Sequence, residues 1–277
     1  MVLRVDRSSH RYRSKRDDRA FLRHRIREIA TSRVRYGYRR IWIVLCREGL
    51  KVNHKRVRRL YREEGLNLRI KRPRRHVSAA HRAERTAATA PNEVWSMDFV
   101  SDALFDGRRL QALTLLDVHT REALAIEVDQ GIKGEQVDAV LDAVAMVRGA
   151  PRSIRVDNGP EFVSNALDRW AYERGVILDF SRPGKPTDNA FVGSFNGRLR
   201  EKCLNAHWFL SLDDARGKIE AWRTFSNESR PHSALGDRTP SEFARQAGVY
   251  PGLSGASEAG KPTRNPGEKT GHHHADG

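Results

Sequence analysis

Two aspartates interrupt runs that are otherwise apolar. Asp98 lies in VWSMDFV between Met97 and Phe99, and Asp157 follows SIRV, just before Asn158-Gly159-Pro160. A carboxylate taken out of water needs a partner or a cation. Hard divalent cations such as Mg²⁺ take oxygen ligands and complete their shell with waters and substrate phosphates. Two such ions about 3.5–4 Å apart can activate a hydroxyl nucleophile and stabilise the leaving oxygen in phosphoryl transfer. Metal-assisted phosphoryl transfer is therefore the chemistry these two residues point to, although either alone also reads as a turn former or an ion-pair member.

Strands must bring the two acids together. The runs 94–100, 110–117 and 123–128 are short and β-prone, with turn signals at Asp106-Gly107 and His119-Thr120, so an antiparallel meander is expected. Helical spacing over 134–147 precedes an apolar strand at 153–157, a helix over 161–174 and a strand at 176–180. The order β-β-β-α-β-α-β-α predicts an α/β fold, a mixed sheet flanked by helices of the ribonuclease-H-like kind. A Pro/Gly loop at 182–186 then leads into another helix. Thr187 or Asp188 is its expected cap, and Phe191, Phe195, Leu199 and Cys203 its expected buried stripe. A helix near 211–227 and the segment RPHSALGDRTPSEFA at 230–244 close the patterned part.

Charge divides the chain differently from pattern. Residues 1–90 hold 28 Lys and Arg against 8 Asp and Glu, a net of +20, while the whole chain carries +16. Such a block is the electrostatic footprint of a nucleic-acid binder, because cations that neutralise phosphates release condensed counterions. Within it, Leu22, Ile26 and Ile29 line one helix, Ile41, Val44 and Leu45 a second, and Val57, Leu60 and Tyr61 a third capped by Asn53. Three short helices with tight turns, and Lys55, Arg56 and Arg59 early in the last, predict a small all-α, helix-turn-helix-like domain. A three-helix packing unit with a solvated basic face has the same spacing.

The expected organisation is a basic arm at 1–19, a helical DNA-binding-like domain at 20–70, an Arg/Ala-rich linker at 71–92, a catalytic core with its C-terminal helices at 93–247, and a disordered Gly/Pro-rich tail at 251–277. Cys46 and Cys203 show no metal-ligand spacing, so reduced thiols and a cytoplasmic location are expected. No apolar run approaches membrane-spanning length.

The segments VWSMDFVSD, RVDNGPEF, GKPTDNAFVGSFNGRLREKCLN and RPHSALGDRTPSEFA together resemble the OrfB transposases of the bacterial insertion sequence 3 family, which carry a retroviral-integrase-like core with three catalytic acids. YGYRRIWIVLCREGLKVNHKRVRRLYREEGL resembles the helical domain that precedes that core, so the likeness spans about residues 8–247. It implies that Asp98 and Asp157 are the first two catalytic acids and metal ligands, that Mg²⁺ is the cofactor at a two-metal site, and that a DNA 3′-hydroxyl is joined to target DNA. It also implies DNA as partner, as transposon ends and target, and either a homo-oligomer or a complex with the OrfA-type product.

The family's third acid is a Glu with 35 residues between it and the second. Counting from Asp157 reaches Gly193, where the family reads ESFNG and this chain reads GSFNG. Asp188, Glu201 and Glu161 are the neighbouring acids, and none is an obvious replacement. The resemblance thus implies an impaired copy with a weakened second metal site. Arg200, nearly two turns after Gly193, and Lys185 in the preceding loop are candidate phosphate contacts. Two other readings share these residues: a non-catalytic DNA-binding relic or inhibitor of transposition, and a ribonuclease-H-like nuclease.

Overall fold

A computed structural model describes residues 20–33, 35–66, 88–159, 161–181 and 189–250. The arm at 1–19, most of the linker, Lys185, Thr187, Asp188 and the tail at 251–277 lie outside the described residues.

Three helices form first: α1 (Ala20–Ser32), α2 (Tyr38–Arg47) and α3 (His54–Glu63). The spacings noted above bury Leu22, Ile26, Ile29, Ile41, Leu45, Val57, Leu60 and Tyr61 in one small core. The Asn53 side chain accepts a hydrogen bond from Lys55 N at 2.8 Å and so satisfies one of the free amides at the start of α3. Surface ion pairs tie α1 to the other two helices, Arg23 to Glu63 and Glu64, and Arg25 to Glu48.

The second unit is a five-stranded mixed sheet in the order β3-β2-β1-β4-β5. Strands β1 (Val94–Ala103), β2 (Arg109–Asp117) and β3 (Ala123–Asp129) form the antiparallel meander, and β4 (Ser153–Val156) and β5 (Ile177–Phe180) add parallel to β1. Helices α4 (Gly134–Arg148) and α5 (Asn165–Arg174) supply the crossovers. Side chains alternate across a strand, so Trp95 and Met97 of β1 join Leu113, Leu115, Ile154, Phe162, Leu141 and Trp170 on the α4/α5 face. Val100, Leu110, Ala112 and Val128 face the other way, against Leu199 of α6 (Ala190–Lys202), Cys203 just after it, and Ala215 and Ile219 of α7 (Leu212–Glu228). A short α8 (Pro240–Gln246), opened by a capping box between Thr239 and Glu242, ends the described chain.

Three details depart from the sequence expectation. Asn189, not Thr187 or Asp188, stands at the N-cap of α6, and its side chain makes no capping hydrogen bond. Helix α5 begins at Asn165 rather than 161, because Ser164 caps it through Leu167 N at 3.3 Å. The preceding Phe162 and Val163 amides instead turn back onto the Gly159 carbonyl. In α6, Val192 rather than Phe191 joins Phe195 and Leu199 in the buried stripe. Phe191 is left exposed, with the Arg121 guanidinium 3.7 Å above its ring.

The helical unit rests on the core. Phe225 of α7 packs into its apolar cluster beneath the Arg33 guanidinium at 4.7 Å. Arg35 pairs with Glu201 of α6, and Arg47 with Glu242 of α8 at 2.7 Å. Within the core, buried Arg148 at the end of α4 clamps Asp117 and Glu122 across the β2–β3 turn and reaches the Tyr250 hydroxyl at 2.8 Å.

Candidate active site

Asp98 lies mid-strand in β1 and alternation sends its side chain to the α6 face, with Ser96 and Val100. Its Oδ1 accepts from Phe99 N at 2.8 Å and its Oδ2 from Asn196 Nδ2 at 2.9 Å. Asn196 is itself buried, and its Oδ1 faces Thr114 Oγ1 at 2.9 Å. That hydroxyl also lies 3.0 Å from the Asp98 carbonyl, so its one proton serves one acceptor at a time. Burial pushes the Asp98 carboxyl above its ordinary range; the Phe99 amide pulls it back, the charge of Asp157 pushes it up again, and the Asn196 amide lowers it.

Asp157 stands just past the end of β4 and is exposed. The parallel register pairs Trp95 with Ile154 and Ser96 with Arg155; continued by two residues, it sets Asp157 beside Asp98. Asp157 Oδ1 accepts from Gly159 N at 3.0 Å. A Cβ at Gly159 would stand 3.0 Å from Asp157 Oδ1 and 3.2 Å from Glu161 Oε2, so this glycine gives room to two carboxylates. Glu161 also accepts from Gln111 Nε2 at 3.3 Å.

Helix α6 lies along β1 through one stripe of residues. The Asn189 side chain, just before the helix, donates to the Met97 carbonyl at 2.9 Å and accepts from Ser96 Oγ. Asn196 reaches Asp98, and Arg200 Nη2 donates to the Ser101 carbonyl at 3.1 Å. Positions 189, 196 and 200 are i, i+7 and i+11 on one helical edge, and Gly193 is the i+4 position between them. It is exposed, and a Cβ built there meets nothing within 4 Å. The stripe therefore offers a bare backbone position one turn before the residue that holds Asp98. Among the described residues, no three His, Cys, Asp or Glu side chains come together in a way that could enclose a metal ion.

Asn189, Asn196 and Thr114 did not stand out in the sequence. The first two sit in the same NAFVGSFN run as Gly193, and their helical spacing to Gly193 was the available signal. The basic residues predicted on the third helix lie elsewhere. Lys55 and Arg59 are exposed on α3, Arg56 is half-buried, and Arg59 leans toward Glu63 at 3.5 Å. Lys55 and Arg59 line a shallow open depression with Tyr38, His54, Arg58 and Arg62.

Comparison with known proteins adds to this geometry. Two integrase core domain families match residues 88–186 and 174–240, and an HTH-like domain family matches 15–74. The chain is 51% identical over 241 residues to the insertion element IS407 uncharacterized 31.7 kDa protein of Burkholderia multivorans, covering 87% of both. It is 30% identical over 246 residues to the putative transposase InsK for insertion sequence element IS150 of Escherichia coli, covering 84% of this chain and 86% of that one. Among solved structures, the simian T-cell lymphotropic virus intasome in complex with a PP2A regulatory subunit aligns over 87% of this chain and 80% of the matched one, with a TM-score of 0.51 and 16% identity, a likeness of fold alone. No helix among the described residues is long and apolar enough to cross a membrane.

Proposed function

Because this chain belongs to the insertion-sequence transposases of the OrfB kind, with an integrase core and an HTH-like domain, we propose that it is a DNA-binding transposase subunit in which the site for DNA strand transfer is built but lacks one acid. The observation that carries this is the α6 stripe. Three of its four positions are anchored to β1 around Asp98, and the fourth is Gly193.

The donor set fits a hard divalent cation in part. Asp98 and Asp157 are two adjacent carboxylates whose mutual repulsion helps hold the Asp98 carboxyl up, a repulsion that a cation between them relieves. These two residues would hold Mg²⁺. When bound, the metal lowers the pKa of a DNA 3′-hydroxyl and neutralises charge on the phosphoryl oxygens. The protein's own work is positional: Asn196 fixes one oxygen of Asp98, and Thr114 holds Asn196 in that orientation. At Gly193 the helix presents no donor, so a cation on that side has one protein ligand fewer. Basic α3 gives the helical domain its grip on DNA backbone through Lys55 and Arg59, and Arg200 would hold a phosphate beside β1. An OrfA-type product or further copies of this chain would complete end recognition, in the cytoplasm.

A non-catalytic DNA-binding copy is the second reading, favoured by the same Gly193. The test is incubation of the full chain with duplexes carrying the element's terminal repeats and Mg²⁺ or Mn²⁺. Duplex binding with feeble end joining is expected. Robust joining that Asp157→Asn abolishes would overturn the impairment, and failure to retain any duplex would overturn the DNA-binding reading.

A further inference from the structure

A second group of charged residues sits where the helical domain meets α6, and carboxylates play no part in it. Arg230 is 4% exposed and His232 9% exposed, both in the segment that follows α7. Arg230 Nε and His232 Nε2 are buried and have no hydrogen-bond partner. Within electrostatic reach of them are the half-exposed Arg198 and Lys202 of α6 and Arg40 of α2. Aromatic rings back two of these cations, Phe195 behind Arg198 at 6.0 Å and Tyr36 behind Arg40 at 5.8 Å. No carboxylate among the described residues pairs with Arg40, Arg198, Lys202 or Arg230; the nearby Glu201 is taken by Arg35.

Buried charges are normally paired. Here burial first, and the other cations next, push Arg198, Lys202, Arg230 and His232 toward their neutral forms. Lys202 falls to about 7, Arg230 to about 10 and His232 to about 3, while Arg198 is lowered by burial and by Arg40. An assembly that repels itself in the free protein is complementary to an anion that is absent from it. Guanidinium groups match phosphate oxygens in a bidentate fork, and an ammonium adds a point charge.

At about 100° per residue, Arg198 and Lys202 lie 140–180° around α6 from Gly193. The cluster is therefore on the side of the helix turned away from the carboxylates and is not a part of the active site. On the reading that this chain binds DNA, we propose that Arg40, Arg198 and Lys202, over a floor of Arg230 and His232, form a dedicated site for a DNA backbone phosphate that bridges the helical domain and the core. DNA held there neutralises the repulsion between the two units and so locks their junction.

The test uses the full chain, a fluorescent duplex carrying the terminal repeat, inorganic phosphate as a second probe, and the variants Lys202→Gln, Arg198→Gln and their double. Thermal melts establish that each variant folds. The proposal expects Lys202→Gln to raise the Tm of the free protein while weakening duplex binding. The double variant should reduce the slope of log affinity against log salt by about two. Phosphate should raise the Tm of the unsubstituted chain more than chloride at equal ionic strength, and should do so less for the double variant. Wild-type duplex affinity and salt slope in the double variant would overturn the proposal. If the phosphate effect is lost with duplex binding unchanged, the site takes free phosphate only, which overturns the DNA assignment. Lys55→Gln/Arg59→Gln on α3 serves as the control. If that pair loses binding while the junction variants keep it, the DNA-binding reading stands and the junction proposal falls.

Discussion

Placing an acid at the bare position of the α6 stripe, Gly193→Glu, is the perturbation that this geometry makes most informative. A Cβ at 193 meets nothing within 4 Å, so the side chain leaves the helix without a clash at its first carbon. Replacing Gly by a good helix former inside an exposed helix gains roughly 0.5–1 kcal/mol. Against this stands charge. Two carboxylates about 6 Å apart repel by roughly 0.7 kcal/mol in a water-like medium and about 3 kcal/mol at an effective dielectric of 20, and a Glu at 193 adds such a repulsion. In metal-free buffer the two effects oppose, and the variant should melt at or slightly below the unsubstituted chain. With Mg²⁺ or Mn²⁺ the sign reverses, because the same three charges become ligands, and the metal-induced rise in Tm should be larger for the variant. End joining should rise by at least about 100-fold, since even groups that only support metal ligands are worth 10–100-fold. Melts with and without metal, run beside the joining assay, separate stability from chemistry. Equal metal-induced shifts and equal joining rates in the two proteins would refute the claim that position 193 faces the carboxylates.

Three further outcomes follow from individual contacts. Asn196→Ala removes the amide that holds Asp98 Oδ2 and faces Thr114, and should cost about 1.5–3 kcal/mol in urea melts while lifting the Asp98 pKa further. Arg148→Met strands Asp117 and Glu122 in the core, where Asp117 has no exposed side-chain surface, so a loss of about 3–5 kcal/mol is expected in the same melts. Lys202 gives a pH signature. Its pKa falls from 10.5 unfolded to about 7 folded, so between these values the unfolded chain binds more protons. Its contribution to stability therefore rises with pH from about 7 to 10.5, and Lys202→Gln should flatten that rise in denaturation series at pH 7 and 9.

The element order, the meander of the first three strands and most helix faces were legible because they rest on patterns a linear reading sees. Trp95 and Met97 alternate with Ser96 and Asp98, and Leu22, Ile26 and Ile29 recur at helical spacing. Asp98 announced itself as an acid inside an apolar run. The supports were silent because a buried Asn looks like a surface Asn in sequence: nothing about Asn196 shows that its amide ends on a carboxylate 98 residues away. Phe191 misled for the opposite reason. An aromatic on a helix is ordinarily core, but here the helix begins at Ala190 and is rotated so that its polar stripe meets β1, and Arg121 covers the ring instead.

Helix α6 consequently carries two opposed demands. One edge must present N–H donors to β1 and to Asp98; the other must hold Arg198 and Lys202 against Arg40 and the buried Arg230. On the proposed function, a glycine at 193 costs the metal one ligand but leaves Asn189, Asn196 and Arg200 anchoring the helix to β1, so the second edge stays in place. A glycine at 193 can thus disable chemistry without disturbing a phosphate site on the far side. Joining and duplex retention should therefore respond independently to Gly193→Glu and Lys202→Gln, the first changing rate at constant affinity and the second affinity at constant helix geometry. If Gly193→Glu instead altered duplex affinity in metal-free buffer as strongly as Lys202→Gln does, the two edges would be one surface, and the separation argued from the 140–180° between them would be wrong.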